Sequence, residues 1–233
     1  MNIAIVGYGR MGKTIEQIAL SRGHNIVHIH NGGPMNFAEL KRADVAIEFT
    51  QPDAAARNIN ALLTHGISVV SGTTGWLNEK PAMDKIAALN HVGFLYASNF
   101  SLGVNLFFVL NEKMAEIMHE YPEFKPEIRE IHHTGKKDSP SGTAITAAEG
   151  VLSSYNELKG WTMDSDPKAL RIKAERIDPY FGMHEVNYLS EIDSLTLSHN
   201  AKSRKGFALG AVMAAEWLNG KTGSFNMRDV LNL

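Results

Sequence analysis

The chain has 233 residues, 44% hydrophobic and 21% charged, with a net charge of −2 and no cysteine. That balance describes an ordinary globular chain with room for one large domain or two small ones, without bulk attraction to nucleic acid or an anionic membrane. Disulfides, thiolate metal sites and cysteine nucleophiles are excluded, and no apolar run reaches the roughly twenty residues that span a bilayer.

Met1-Asn2 leads straight into an apolar strand over residues 2–7, so no signal peptide is expected and the protein reads as cytoplasmic. A helix follows, with Met11, Ile15, Ile18 and Ala19 spaced to face a sheet. Further strands are expected at Asn25–His30, Asp44–Phe49, Ile67–Ser71 and Val92–Ala97. Helices are expected after Pro52, with Ala55, Ile59, Leu62 and Leu63 on one face, and around Pro81–Leu89. Strands alternating with helices in this way predict a Rossmann-type doubly wound parallel sheet.

The pattern changes after residue 100. A long helix carries Phe107, Leu110, Met114 and Ile117 as its predicted buried stripe, and a strand follows at Pro126–Ile131. A second helix is expected from Ala144 to Leu158, with Ile145, Ala148, Leu152 and Tyr155 in register. Strand-like runs follow at 168–177, 183–189 and 194–199, and a last helix carries Phe207, Ala211, Ala214 and Leu218. Strands in succession without helices between them indicate a mixed sheet in a second, α+β domain. The expected division is a dinucleotide-binding domain at 1–103 plus 206–233, and a substrate-binding and oligomerisation domain at 104–205.

Gly7-Tyr8-Gly9-Arg10-Met11-Gly12 matches the dinucleotide fingerprint where it has to stand, between a first strand and a helix. Gly7 permits the tight turn, Gly9 lets backbone approach a pyrophosphate, and Gly12 allows close packing of helix on strand. Arg10 and Met11 complete that turn. The acidic residue normally found at the end of the second strand is missing. That strand ends in His30-Asn31, and the nearest acid is Glu39. His30 or Asn31 suits a ribose and Arg10 or Lys13 a 2′-phosphate, so both NADH and NADPH stay open as cofactors. Gly72-Thr73-Thr74-Gly75 ends the fourth strand, where small residues admit a flat nicotinamide. Ser98-Asn99-Phe100 follows the fifth strand as a cofactor-lining or hinge segment.

Residues 130–143, Glu-Ile-His-His-Thr-Gly-Lys-Lys-Asp-Ser-Pro-Ser-Gly-Thr, concentrate the chemistry. Histidines at a strand end move protons near neutral pH. Lys136 or Lys137 offers a fixed positive charge, and Ser141-Gly142-Thr143 opens a helix whose N-terminus favours an anion. A small carboxylate-bearing substrate that needs a proton fits this set. His132 and His133 point to opposite faces of a strand and have no third ligand at a familiar spacing, so no metal is expected.

With these residues the chain closely resembles the 4-hydroxy-tetrahydrodipicolinate reductase (dihydrodipicolinate reductase) family of lysine and diaminopimelate biosynthesis. The resemblance runs through GYGRMG at 7–12, EFTQP at 48–52, GTTG at 72–75, SNFSLGVN at 98–105 and EIHHTGKKDSPSGTA at 130–144. It continues in Ser203-Arg204, Gly210-Ala211 and the tail at 227–231. It implies a homotetramer that uses NADH or NADPH on a small cyclic dicarboxylate. His132 is then the proton donor and Lys136 the residue that stabilises developing charge. His133, Lys136, Ser141, Gly142 and Thr143 are the substrate-carboxylate contacts. Gly7, Gly9, Arg10, Met11, Gly12, Gly72, Thr73, Thr74, Ser98, Asn99 and Phe100 are the cofactor contacts. Two other readings are an aspartate- or homoserine-type amino-acid dehydrogenase on the same first domain, and a non-catalytic NAD(P)-sensing protein.

Overall fold

The structure, a computed structural model, describes residues 1–233 as two compact units, Met1–Leu102 with Arg204–Leu233, and Gly103–Ser203.

In the first unit, β1 (Asn2–Val6), β2 (Asn25–His30), β3 (Val45–Glu48), β4 (Ser68–Ser71), β5 (Gly93–Tyr96) and β11 (Gly223–Phe225) form one sheet in the order β11-β5-β4-β3-β1-β2. Every pairing is parallel. The central strands are apolar at consecutive positions because both faces are covered. Ile3, Ile5, Val45, Ile47, Val70 and Leu95 pack toward α1 (Arg10–Ser21) and α7 (Lys205–Leu218). Ala4, Val6, Ala46, Val69 and Phe94 pack toward α3 (Pro52–Thr64) and α4 (Lys80–Leu89). The chain end adds β11 beside β5, and α8 (Met227–Leu231) follows with a capping box from Asn226 and Asp229. Strand β11 and the short α2 (Phe37–Leu40) leave no mark in the sequence pattern because three or four residues are too few to show a period.

In the second unit, β6 (Lys125–His132), β7 (Trp161–Thr162), β8 (Leu170–Arg176), β9 (Met183–Leu189) and β10 (Ser194–Asn200) form a sheet in the order β10-β9-β6-β8-β7. It is mixed: β6 pairs parallel with β8 and antiparallel with β9. Ile128, Ile172, Val186 and Tyr188 pack with α5 (Leu102–Met118) and α6 (Gly142–Leu152) into a single core. The other face carries alternating charges, including Arg129 against Glu175 at 2.6 Å and Lys173 against Glu127 at 2.8 Å.

The predicted stripe on α5 needs correction. Leu110 and Ile117 are exposed, at 55% and 54%, and the buried face carries Val104, Phe107, Asn111, Ala115 and Met118. Two apolar stripes interleave on this helix, so spacing alone could not choose between them. A polar contact decides the choice. Asn111 Nδ2 donates to the Ala147 carbonyl at 2.8 Å, where Gly150 leaves room for it. The second helix is also shorter than expected and ends at Leu152, although Tyr155 beyond it is still buried.

Helix α7 holds a close approach of its own. A Cβ added at Gly210 would stand 1.7 Å from the Phe100 carbonyl oxygen. Glycine-to-alanine changes inside helices usually stabilise, by up to about 1 kcal/mol. At this position the sign reverses: Gly210→Ala is expected to cost about 1–3 kcal/mol through overpacking, read as a lower urea midpoint.

Candidate active site

Strand β6 carries the site on the face that holds the core. Ile128, Glu130 and His132 share that face because side chains alternate along a strand. The apolar row Ile128, Ile172, Val186 therefore gives way, toward the strand end, to Glu130 and His132. Register then adds His184 of β9 opposite Glu130, and Arg176 of β8 opposite His132.

The four side chains meet. Glu130 is fully buried, and its Oε1 accepts from the Ser141 backbone N–H at 3.1 Å and from both terminal nitrogens of Arg176 at 3.2 Å. Its Oε2 lies 3.2 Å from His132 Nδ1 and 3.6 Å from His184 Nε2. His184 Nε2 is also 3.1 Å from Ser141 Oγ, and the two imidazole rings stand edge-on at 5.0 Å. Burial works against the charge on Glu130, but hydrogen bonding by His132, His184 and Ser141 outweighs it and holds the carboxyl well below its usual range. Burial pushes His184 down and keeps it neutral.

The loop beyond β6 is fastened to the same carboxylate through Arg176, which also donates to the Lys136 carbonyl at 3.3 Å and the Asp138 carbonyl at 2.5 Å. Lys136 Nζ is held by both oxygens of Asp138 at 2.8 Å. Lys137 is exposed, and His133 is half-buried just past the strand end. Ser141 caps α6, its Oγ accepting from the Ala144 N–H at 3.2 Å, with Gly142 and Thr143 in the first turn. Of the residues singled out from sequence, Lys136 and Ser141 are thus joined by hydrogen bonds through Arg176 and Glu130, and His132 stands against the same carboxylate at 3.2 Å. Glu130, His184 and Arg176 are not among those residues. Glu130 was legible, two residues before His132 on a strand, whereas His184 and Arg176 arrive only through sheet register.

Glu130, His132 and His184 bring ligand atoms within 4.8 Å of one another, a grouping the sequence did not disclose. The guanidinium of Arg176 already lies against the carboxylate, so the positive charge a metal would contribute is supplied by the chain itself.

In the first unit the glycine turn fits a dinucleotide. Gly7 has φ +96°, and a Cβ there would stand 1.9 Å from the Phe49 carbonyl. A Cβ at Gly12 would stand 2.1 Å from the Gly7 carbonyl, while the space beside Gly9 is open. Gly9 caps α1 without a side-chain hydrogen bond, and no acid stands in the first turn, as an approaching phosphate requires. Arg10 is exposed and Met11 half-buried. At the end of β2, Asn31 Oδ1 accepts from the Tyr8 N–H at 3.3 Å, His30 is buried, and Glu39 is taken by His28 at 2.6 Å.

A second buried carboxylate organises the 72–75 loop. Glu48 accepts from Ser71 Oγ at 2.7 Å, Thr73 Oγ1 at 2.9 Å, the Thr50 N–H at 3.1 Å and the Thr50 hydroxyl. The space that Gly72 leaves is filled by the Phe49 ring, with buried Phe100 packed beside it, so a side chain at this position has no room. Thr74 faces solvent, Ser98 is exposed, and Asn99 Oδ1 accepts from the Ser101 N–H at 2.9 Å.

A parallel sheet with this glycine turn, joined in one chain to a buried carboxylate–imidazole cluster, defines the class of nicotinamide-dependent oxidoreductases. Family models bear this out: "Dihydrodipicolinate reductase, N-terminus" matches residues 1–100 and "Dihydrodipicolinate reductase, C-terminus" matches residues 103–231. The 4-hydroxy-tetrahydrodipicolinate reductase of Christiangramia forsetii is 50% identical over 238 residues, covering 100% of this chain and 98% of the relative. That of Chromobacterium violaceum is 35% identical, again covering 100% and 98%. Among solved structures, dipicolinate-bound dihydrodipicolinate reductase from Paenisporosarcina sp. TG-14 superposes with a TM-score of 0.76. It is 22% identical and covers 97% of each chain. An amine dehydrogenase from Mycobacterium smegmatis shares the fold at a TM-score of 0.64 and 10% identity, over 97% of this chain and 94% of that one. The chain belongs to the dihydrodipicolinate reductase family. No helix is long and apolar enough to cross a membrane.

Burial of His184 sets a pH dependence. The unfolded chain takes up a proton there near the ordinary value of 6.5, while the folded chain resists it to lower pH. The folded state thus binds fewer protons in that window, and stability falls as pH drops through it. Urea midpoints are expected to fall between about pH 7.5 and about pH 5.5, and to fall less steeply in His184→Gln.

Proposed function

We propose that the chain reduces 4-hydroxy-tetrahydrodipicolinate to tetrahydrodipicolinate in lysine and diaminopimelate biosynthesis, with His132 supplying the proton and Lys136 meeting the developing negative charge. The observation that carries this reading is the buried imidazole–carboxylate cluster at the end of β6, tied through Ser141 to the N-terminus of α6. Family membership sets aside the amino-acid dehydrogenase and the non-catalytic sensor.

When bound, the reduced nicotinamide supplies a hydride to C4 of the conjugated ring left by loss of the 4-hydroxyl as water. Charge then develops toward the ring nitrogen and C3, and His132 gives the proton that C3 needs. General acid catalysis of this kind contributes about 10²–10⁴-fold. Lys136 exchanges Asp138 for a substrate carboxylate, a swap that keeps the ammonium paired throughout. His133, Ser141, Gly142 and Thr143 hold the carboxylates, supported by the positive end of α6. Gly7, Gly9, Arg10, Met11, Gly12, Gly72, Thr73, Thr74, Ser98, Asn99 and Phe100 hold the dinucleotide. The dinucleotide domain is 1–103 plus 206–233, and the substrate and oligomerisation domain is 104–205. Exposed Leu189, Ile192 and Leu195 near the β9–β10 edge support assembly, read as a homotetramer in the cytoplasm.

Steady-state rates with substrate generated in situ by dihydrodipicolinate synthase test the roles. His132→Gln is expected to lower kcat by about 100-fold or more with little change in KM, and Lys136→Ala to damage both. Rates within about twofold of the parent, only ~0.4 kcal/mol, would overturn the assignment. Because no carboxylate at the end of β2 opposes a 2′-phosphate and Arg10 and Lys13 are exposed, NADH and NADPH are expected to give kcat/KM values within about tenfold.

A further inference from the structure

We propose that Glu130 is the positioning residue of the proton donor: its Oε2 accepts the Nδ1–H of His132 and so commits Nε2 to delivering the proton. The inference rests on His132 being the donor.

The two oxygens of Glu130 have separate partners. Oε1 is taken by Ser141 and Arg176, which fixes the carboxylate plane. Oε2 is buried, 3.2 Å from His132 Nδ1 and 3.6 Å from His184 Nε2, and neither Oε2 nor His132 Nδ1 makes a well-aligned hydrogen bond to any other group. Of the two imidazoles at Oε2, His132 is the nearer, and His184 Nε2 has Ser141 Oγ at 3.1 Å as its alternative, which leaves the buried oxygen to His132 Nδ1. Gly182, at φ +153°, is the residue beside Nε2, and a Cβ there would stand 3.0 Å from it. His184 braces the ring edge-on and is held neutral by burial, so it does not compete for the role of cation beside Glu130.

In the proton step the Nε2–H bond breaks, its electron pair stays on Nε2, and the C3–H bond forms from the electron pair on the substrate ring. The proton on Nδ1 stays with Glu130 throughout, and solvent returns a proton to Nε2. The neutral ring left behind therefore carries its hydrogen on Nδ1. Arrangements of this type hold an imidazole in the correct tautomer and stabilise its cation.

Glu130→Gln inverts the arrangement without changing its shape. Ser141 and Arg176 both donate to the Oε1 position, so the amide oxygen must stay there and the amide NH2 must face His132 Nδ1. Two donors then oppose each other, and the neutral ring is driven to the Nε2–H tautomer. Long-range ¹⁵N spectra of histidine-labelled protein, with His132 assigned by its Gln variant, are expected to show Nδ1–H in the parent and Nε2–H in Glu130→Gln. The kcat is expected to fall by about 100-fold or more while the KM for the nucleotide stays within about twofold. Glu130→Asp, which keeps the carboxylate, is expected to keep the Nδ1–H tautomer and recover part of the rate.

An Nε2–H tautomer in the parent protein overturns the proposal whether or not any variant folds. So does a Glu130→Gln enzyme that keeps its rate and its Nδ1–H signal. If instead His132→Gln itself stays active, it is the assignment of the donor that fails, and the two failures are told apart.

Discussion

The charge on Glu130 is the constraint on which the second unit depends. A carboxylate with no exposed surface is costly unless its oxygens are occupied, and here one oxygen takes a guanidinium and a backbone amide while the other faces imidazoles. Satisfying that charge brings together β8 through Arg176, β9 through His184 and the cap of α6 through Ser141. The loop of Lys136 and Asp138 is fastened by the carbonyls that Arg176 also reaches. Truncating such a residue leaves several buried donors without a partner, so its removal is felt well beyond one contact.

Glu48 solves the same problem in the first unit by other means. It is equally buried, but its partners are hydroxyls and a backbone amide, with no cation among them. Hydroxyls turn to donate wherever an acceptor stands, so the loop after β4 is set without introducing positive charge beside the sheet. In each unit the fold drives a carboxylate inward at the end of a core strand and uses it to shape the loop that follows.

In the loop after β6, side chains and backbone are held by different partners. Lys136 is paired with Asp138, both on the loop, while the backbone of that loop is anchored from beneath by Arg176. An ammonium already satisfied by a carboxylate can accept another carboxylate with little change in its own solvation. Under the proposed function, that anchoring would confine a change of carboxylate at Lys136 to a few rotamers.

Much of the fold was legible from residue pattern. Consecutive apolar positions such as Ile3 to Val6 report a strand buried on both faces, and Gly7, Gly9 and Gly12 report a turn that side chains would block, because burial and steric clash act locally. The contact of the Ser141 N–H with Glu130, across one loop, is local in the same sense. Which stripe of α5 turns inward was not legible, since Asn111 finds its acceptor on another helix. Sequence likewise could not pair Glu130 with His184 and Arg176, more than forty residues away, because strand register is a property of the assembled sheet. Residue order by itself determined what each segment is; only tertiary structure decided which charge each buried group would meet, because hydrogen bonds reach about three ångströms and chain distance says nothing of that.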